Sequence, residues 1–219
     1  MKAVVFDAES TGFNEGRIIE EAHCLVDIQE GRLVRLTDIT SELFDPEKPI
    51  EYGAMATHHL MPEDLEGSRP YSCFALPEET DYLIGHNIDY DWDLIGRPEV
   101  KRICTLALAR SLWPDVSHTQ GALLYMLDPD LARSLAGKAH RAAVDVLVLT
   151  NILREIVVRL SVKTIDELYQ ESEAARIPKV MTVGKHKGVA IKDLPRDYIN
   201  WFLRQPDVDP YLKQAFLAV

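Results

Sequence analysis

Residues 3–12 read AVVFDAESTG, and this stretch constrains the chain more than any other. The run Ala3-Val4-Val5 has the character of a buried strand, expected over residues 2–6. In a strand, residues i and i+2 face the same side. Asp7 and Glu9 therefore stand side by side at the end of a core strand. Two like charges there repel each other and lose hydration, at a cost of roughly several kcal/mol unless something positive compensates. The source of that positive charge has to be sought in the rest of the sequence or outside the chain.

The chain has 219 residues, enough for one sizeable domain or one domain with a small appendage. Hydrophobic residues make up 47% and charged residues 27%, the balance of a globular protein rather than a disordered one. The net charge of −11 excludes broad non-specific attraction to nucleic acid, so any phosphate ligand must be met by bound cations or a local basic patch. Cys24, Cys73 and Cys104 are few, odd in number and in no CxxC pattern, as expected of reduced structural thiols in a cytoplasmic protein. The start of the chain offers no signal-peptide pattern. The most apolar stretch, VDVLVLTNILREIVVRL, is interrupted by Asp145, Asn151, Arg154 and Glu155, which predicts a core helix and no membrane span.

Punctuation by glycine and proline divides the chain. Residues 17–27 and 32–43 read as two long strands joined at Glu30-Gly31, with Pro46 and Pro49 closing the region. Short helical turns are expected at 53–60 and 62–66, a strand at 81–85, a helix from about 89 to 95, and a strand at 100–104 running into a helix that Pro114 stops. Helices follow at 119–127 and 141–160. A charged helix at 164–175 opens with the capping box Thr164 to Glu167. A meander followed by strand–helix alternation predicts an α/β protein with a mixed sheet flanked by helices. Residues 1–175 form the expected main domain. Residues 176–219 form a small α/β module with a strand, a Gly-Lys-rich turn and one or two helices.

Two later segments carry acids where they are costly. GHNIDYDWDLI, 85–95, lies at a strand-to-helix junction and offers Asp89, Asp91 and Asp93, which could equally be helix N-terminal acids complementing the dipole. HRAAVDVLVL, 140–149, sets Asp145 among apolar neighbours, where it is either ion-paired in the core or binds something; His140 precedes it on a loop. Carboxylates from three elements of one sheet can converge on hard divalent cations, which prefer oxygen ligands. On that reading Asp7 and Glu9 are compensated by a pair of Mg²⁺ ions, with Mn²⁺ able to substitute, an apparatus suited to in-line displacement at phosphorus.

The ordered set resembles the DEDDh exonucleases, the DnaQ-like group with a ribonuclease H-like fold. Their Asp-x-Glu motif is matched by Asp7-Ala8-Glu9-Ser10-Thr11-Gly12, their His-Asn-x-x-Phe/Tyr-Asp motif by His86-Asn87-Ile88-Asp89-Tyr90-Asp91, and their His-x-x-x-x-Asp motif by His140 to Asp145. The resemblance singles out Asp91 as the third acid. Ala54-Met55-Ala56-Thr57-His58 is similar to the family segment that packs against the terminal nucleotide. Ile103-Cys104-Thr105, Leu112-Trp113-Pro114 and the C-terminal GKHKG with DYINW resemble the DNA-degrading members. Ala8 and Ser10 depart from the usual threonines, and Glu21 stands where an apolar residue is usual.

The resemblance implies a 3′–5′ exodeoxyribonuclease that releases nucleoside 5′-monophosphates from single- or double-stranded DNA 3′ ends, with a place in DNA repair; a homodimer is compatible with it. It implies that Asp7, Glu9, Asp91 and Asp145 hold the metals and that His140 is the general base. Thr11, Gly12, Met55, His58 and Asn87 would lie on the substrate side. The alternatives are an exoribonuclease that trims RNA ends and a catalytically silent binding subunit. Lys185 and Lys187, in the most basic segment of an acidic chain, are expected to contact substrate phosphates. Tyr198, Trp201 and Phe202 are expected to form that module's core.

Overall fold

The computed structural model describes residues Met1–Val219, which divide into two compact units, Met1–Ser172 and Glu173–Val219. The first is built on a mixed seven-stranded sheet. Strand β1 (Lys2–Ser10) is central, antiparallel to β2 (Ile18–Gln29) and parallel to β6 (Thr80–Gly85). Beyond β6 lies β7 (Lys101–Cys104), also parallel. On the other side β2 pairs with β3 (Arg32–Arg35) and β4 (Thr40–Asp45), and the two-residue β5 (Arg69–Pro70) closes the edge on β4. This is the mixed, helix-flanked sheet that the sequence predicts.

Two strand boundaries differ from expectation. β1 runs four residues past Phe6, because β2 continues to pair with it from Ala22 opposite Asp7 to Glu20 opposite Glu9. The long strand expected at 32–43 is broken in two. Arg35 faces Val26 and Thr40 faces His23, so residues 36–39 lie opposite only positions 24 and 25, more than a regular ladder can seat. The Thr37 hydroxyl accepts the Leu25 amide there, which satisfies a backbone donor the broken strand leaves open.

The helices are α1 (Tyr52–His58), α2 (Ile88–Leu94), α3 (Thr105–Leu112), α4 (Gln120–Leu127), α5 (Pro129–Ser134), α6 (Ala142–Leu160) and α7 (Ile165–Arg176). The short α5 was not legible as a helix, yet Asp128 caps it by accepting the Leu131 amide, with Pro129 at its first position. The Thr164 hydroxyl accepts the Glu167 amide at 3.1 Å, and the Glu167 carboxylate reaches the Lys163 amide. One face of β1, with Val4, Phe6 and Ala8, packs on Ile88, Leu83 and Cys104. The alternate residues Ala3, Val5, Asp7 and Glu9 occupy the other face, the side covered by α6. Cys24 and Cys104 are buried free thiols, whereas Cys73 is exposed.

In the second unit α8 (Arg196–Leu203) and α9 (Pro210–Leu217) enclose a core of Met181, Ile191, Leu194, Ile199, Leu212, Ala215 and Phe216. The strand expected before the Gly-Lys turn is reduced to a single antiparallel bridge between Val180 and Ala190. No helix in the chain is long and apolar enough to cross a membrane.

Helix α6 owes its place to burial of Val146, Leu149, Ile152, Leu153 and Ile156. Leu149→Ala should lower unfolding stability by about 2–5 kcal/mol. Val158→Ala, on the exposed side of the same helix, should stay within about 0.5 kcal/mol. Urea titration of the two variants checks the assignment of faces.

Candidate active site

The site is assembled where the sheet changes pairing. β6 accompanies β1 only as far as Val5 opposite Ile84, so Asp7 and Glu9 project beyond its C-terminal end into the crevice where α/β proteins place ligands. The Ala8 amide, left without a strand partner on that side, donates instead to Asp91 Oδ1 at 3.2 Å. Asp91 is thereby drawn from α2 to the end of β1 and buried. Opposite, α6 brings Asp145 down from its first turn. His140 lies close enough to favour the ionised Asp145 carboxylate, and is exposed on the loop before the helix. Ligand atoms of Glu9, His140 and Asp145 all lie within 4.8 Å of one another, a grouping able to hold a metal ion.

The electrostatics match that crowding. Burial, followed by repulsion from Asp91, Asp145, Glu9 and Glu20, holds the Asp7 carboxyl well above the usual carboxylate range. Burial and repulsion from Asp145 push Glu9 up to about 8. Burial pushes Asp91 up to about 7. Burial pushes Asp145 up to about 6, although His140 pulls it down. Every group acting on Asp7 is itself acidic. The chain leaves its central carboxylate without a cation of its own.

Two residues that the sequence did not single out organise the approach of α6. Glu20 is 3% exposed on β2, directly opposite Glu9. Its carboxylate accepts two nitrogens of Arg141, with the Nη2 contact at 2.9 Å, and also the Ala142 amide at 3.1 Å. It thus caps the N-terminus of α6, a favourable place for an anion. It also ties residue 141, next to His140, to the strand that faces Glu9. A bulge sits at the same spot, where Ile19 is inserted between the partners of Glu9 and Ser10. Neighbouring Glu21 points to the other face, and its carboxylate meets His23 Nδ1 at 2.9 Å, which accounts for an acid where an apolar residue was expected.

Beside Glu9 opens a cavity of about 270 Å³. Ala8, Glu9, Ser10, Gly12, Phe13, Glu51, Ala54, Thr57, His58 and Tyr90 contribute to its walls. Gly12 has φ +138, and a Cβ there would come within 2.2 Å of the Glu51 carboxyl carbon, so glycine is required for Glu51 to reach the wall. Tyr90 bonds the Ser10 hydroxyl at 2.7 Å, and its ring meets the exposed Phe13 edge-on at the rim. Of the residues expected on the substrate side, Gly12 and His58 line this cavity. Thr11 and Met55 do not: the Thr11 hydroxyl is turned to the Arg17 amide, and Met55 packs on the Ile19–Leu60 cluster. Asn87 is exposed at the start of α2 with φ +73. His86 bridges the Thr105 hydroxyl and the His118 carbonyl, a structural link between α2 and α3. Lys185 and Lys187 belong to the second unit.

No family model matches the chain. It is 27% identical over 208 residues to exodeoxyribonuclease 10 of Escherichia coli (strain K12), across 93% of this chain and 91% of that protein. It is 25% identical over 171 residues to the DNA polymerase III subunit epsilon of Pasteurella multocida, across 69% of this chain and 66% of that one. Among solved structures, exonuclease X in complex with 5′-overhanging duplex DNA superposes with a TM-score of 0.59 at 24% identity, covering 78% of this chain and 99% of that chain. In the order of its acids, its mixed sheet and its sequence, the chain is similar to these exonucleases.

Proposed function

We propose that the chain removes nucleotides from DNA 3′ ends by metal-dependent hydrolysis, and that Asp7, Glu9, Asp91, Asp145 and His140 carry out the reaction. The observation that carries this reading is the convergence of four buried or half-buried carboxylates and one exposed imidazole beside a cavity of about 270 Å³. The donor set fits hard divalent cations: its four carboxylates offer only oxygen, burial raises the pKa of each, and repulsion adds to that at Asp7 and Glu9. Asp7, Glu9, Asp91 and Asp145 would hold two Mg²⁺ ions, or Mn²⁺ in their place. Bound there, the ions would activate water and stabilise negative charge on the leaving oxygen.

The chain's own side chains supply the remainder. The cavity beside Glu9 takes the terminal nucleotide, with Phe13 and Tyr90 at its rim available to a base and the Glu9 and Glu51 carboxylates available to accept from a 3′-hydroxyl. A cavity of about 270 Å³ has room for one terminal nucleotide rather than a continuing strand. His140 is exposed, with its imidazole free to accept the proton of the attacking water. Water adds to phosphorus, the bond from phosphorus to the bridging 3′ oxygen breaks, and a nucleoside 5′-monophosphate departs from a strand one residue shorter. Glu20 touches no reacting atom in this scheme. It positions His140 and Asp145 through Arg141 and the first amide of α6.

Matched DNA and RNA oligomers labelled at either end, incubated with the protein and Mg²⁺, test the proposal directly. Stepwise shortening of DNA from the 3′ end is expected. Preferential loss of the RNA would favour the trimming of RNA ends, and no cleavage of either would leave a silent binding subunit.

His140→Ala should lower kcat by ~10²–10⁴. Titration with Mn²⁺ should show that saturating metal does not restore turnover. Restoration would make His140 a ligand rather than the base. Glu20→Gln keeps the shape of the clamp but removes its charge, and should lower turnover or metal affinity about 10- to 100-fold. KM for the oligomer should change little, because Glu20 is bound to the start of α6 and lies outside the cavity wall. A rise in KM alone would place Glu20 among substrate contacts.

A further inference from the structure

The second unit differs in charge from the rest of the molecule. Residues 173–219 carry eight Lys and Arg against five Asp and Glu, whereas the preceding 172 residues carry 16 against 30. Any long-range attraction for a polyanion is concentrated in this unit.

Its turn at 184–188, Gly-Lys-His-Lys-Gly, is a defined object. Gly184 and Gly188 adopt φ +72 and +87, which lysine or histidine would resist. The Lys187 amide donates to the Gly184 carbonyl, and the Gly188 amide to that of Met181. A Cβ on Gly184 would come within 2.9 Å of the Tyr198 hydroxyl, so the turn lies directly on α8. The His186 ring meets the Tyr198 ring edge-on at 4.5 Å. Lys185 and Lys187 flank that contact, exposed and in no ion pair of the structure.

The aromatic residues of α8 do not all turn inward, which corrects the expectation that they form the module's core. Ile199 is buried and Phe202 is half-buried against Phe216, but Trp201 is 51% exposed. It lies roughly parallel to Tyr198, with centroids 6.0 Å apart and 24° between planes. A tryptophan left half in water forgoes part of the largest apolar burial any side chain can supply. Here it extends an aromatic row, His186–Tyr198–Trp201, that begins between two unpaired lysines. Arg204, one turn further along α8, is exposed too, and Asp197, one turn before, is the acid on that stretch.

We propose that this surface is a second nucleic-acid site, which takes an unpaired stretch of DNA strand. Lys185 and Lys187 contact consecutive phosphates, and the face of Trp201 stacks on a base. Cations tracking a backbone beside an aromatic platform are the general means of holding single strands without regard to sequence. The inference rests on the exonuclease reading for the identity of its ligand. It gives the unit a task distinct from the chemistry, since all five residues assigned to hydrolysis lie in the first unit.

Fluorescence anisotropy of the full-length protein in excess chelator, where no cleavage occurs, tests it with two labelled probes: an oligothymidylate and an abasic strand of equal length. Trp201→Ala should weaken oligothymidylate binding about fivefold or more and leave the abasic strand unchanged. Trp201→Leu keeps apolar volume against Phe202 but removes the ring face, and should show the same loss; Trp201→Phe should recover most of the affinity. Lys185→Ala with Lys187→Ala should weaken both probes and reduce the slope of log K against log salt by about 0.7 for each lost contact. Equal binding of oligothymidylate by wild type, Trp201→Ala and Trp201→Leu overturns the stacking site. So does an equal loss on the abasic strand. Cleavage of a trinucleotide by the same variants with Mg²⁺ present separates the two claims. Unchanged cleavage beside lost binding supports the second site, and absence of cleavage in wild type defeats the exonuclease reading while leaving the binding result standing.

Discussion

Four carboxylates that repel one another at the open end of a central strand govern this structure. Asp7 and Glu9 share a face of β1, Asp91 arrives from α2 and Asp145 from α6. Burial makes each of them costly to ionise, raising Asp91 to about 7, and repulsion from Asp145, Glu20 and Asp91 adds to burial in raising Glu9 to about 8. Such an arrangement opposes folding unless apolar packing elsewhere overrides it. The long buried face of α6 and the double-sided core around β1 provide that packing. The site is thus a store of electrostatic strain held by the fold, and added cations would discharge it.

The surrounding backbone keeps the acids from relaxing apart. Asp91 cannot swing away without stranding the Ala8 amide. Asp145 cannot retreat along α6 because Glu20 fixes the helix start through Arg141 and Ala142. The one strong positive charge near the cluster, Arg141, is engaged by Glu20 and so only partly relieves Glu9. The fold spends its arginine on position and leaves the acids for a ligand.

Much of this was legible in the sequence because it depends on local periodicity. The two-residue repeat put Asp7 and Glu9 on one face, and a carboxylate within AAVDVLVL had to be paired or functional. The mixed sheet followed from a meander succeeded by strand–helix alternation. What was hidden depends on partners distant in sequence. Glu20 and Arg141 are 121 residues apart, and nothing local marks either of them. Glu51 enters the cavity wall only because Gly12 lacks a Cβ. Thr11 and Met55 sit in segments that border the cavity, yet local hydrogen bonding and packing turn them away. The break at 36–39 comes from a register mismatch visible only once β2 is paired on both sides. Trp201 reads as core by composition, and only its place on α8 shows that it faces outward.

The central claim is that Asp7, at the centre of the acid cluster, lacks a protein cation, and thermal melting in excess chelator tests it most directly. Carboxyls whose pKa is raised on folding bind more protons folded than unfolded, so stability is highest at low pH and is lost as pH rises through the folded values. With unfolded values near ~4 and folded values from about 6 for Asp145 to about 8 for Glu9, the metal-free protein should lose stability progressively between those limits. Asp7→Asn should melt above wild type at the upper end of that window, converge with it towards the lower end, and lack cleavage activity. Excess Mg²⁺ should remove the wild-type deficit. A variant that melts well below wild type in chelator at high pH would mean that Asp7 is held by a stabilising partner within the chain, and the claim of an uncompensated acid cluster would fail.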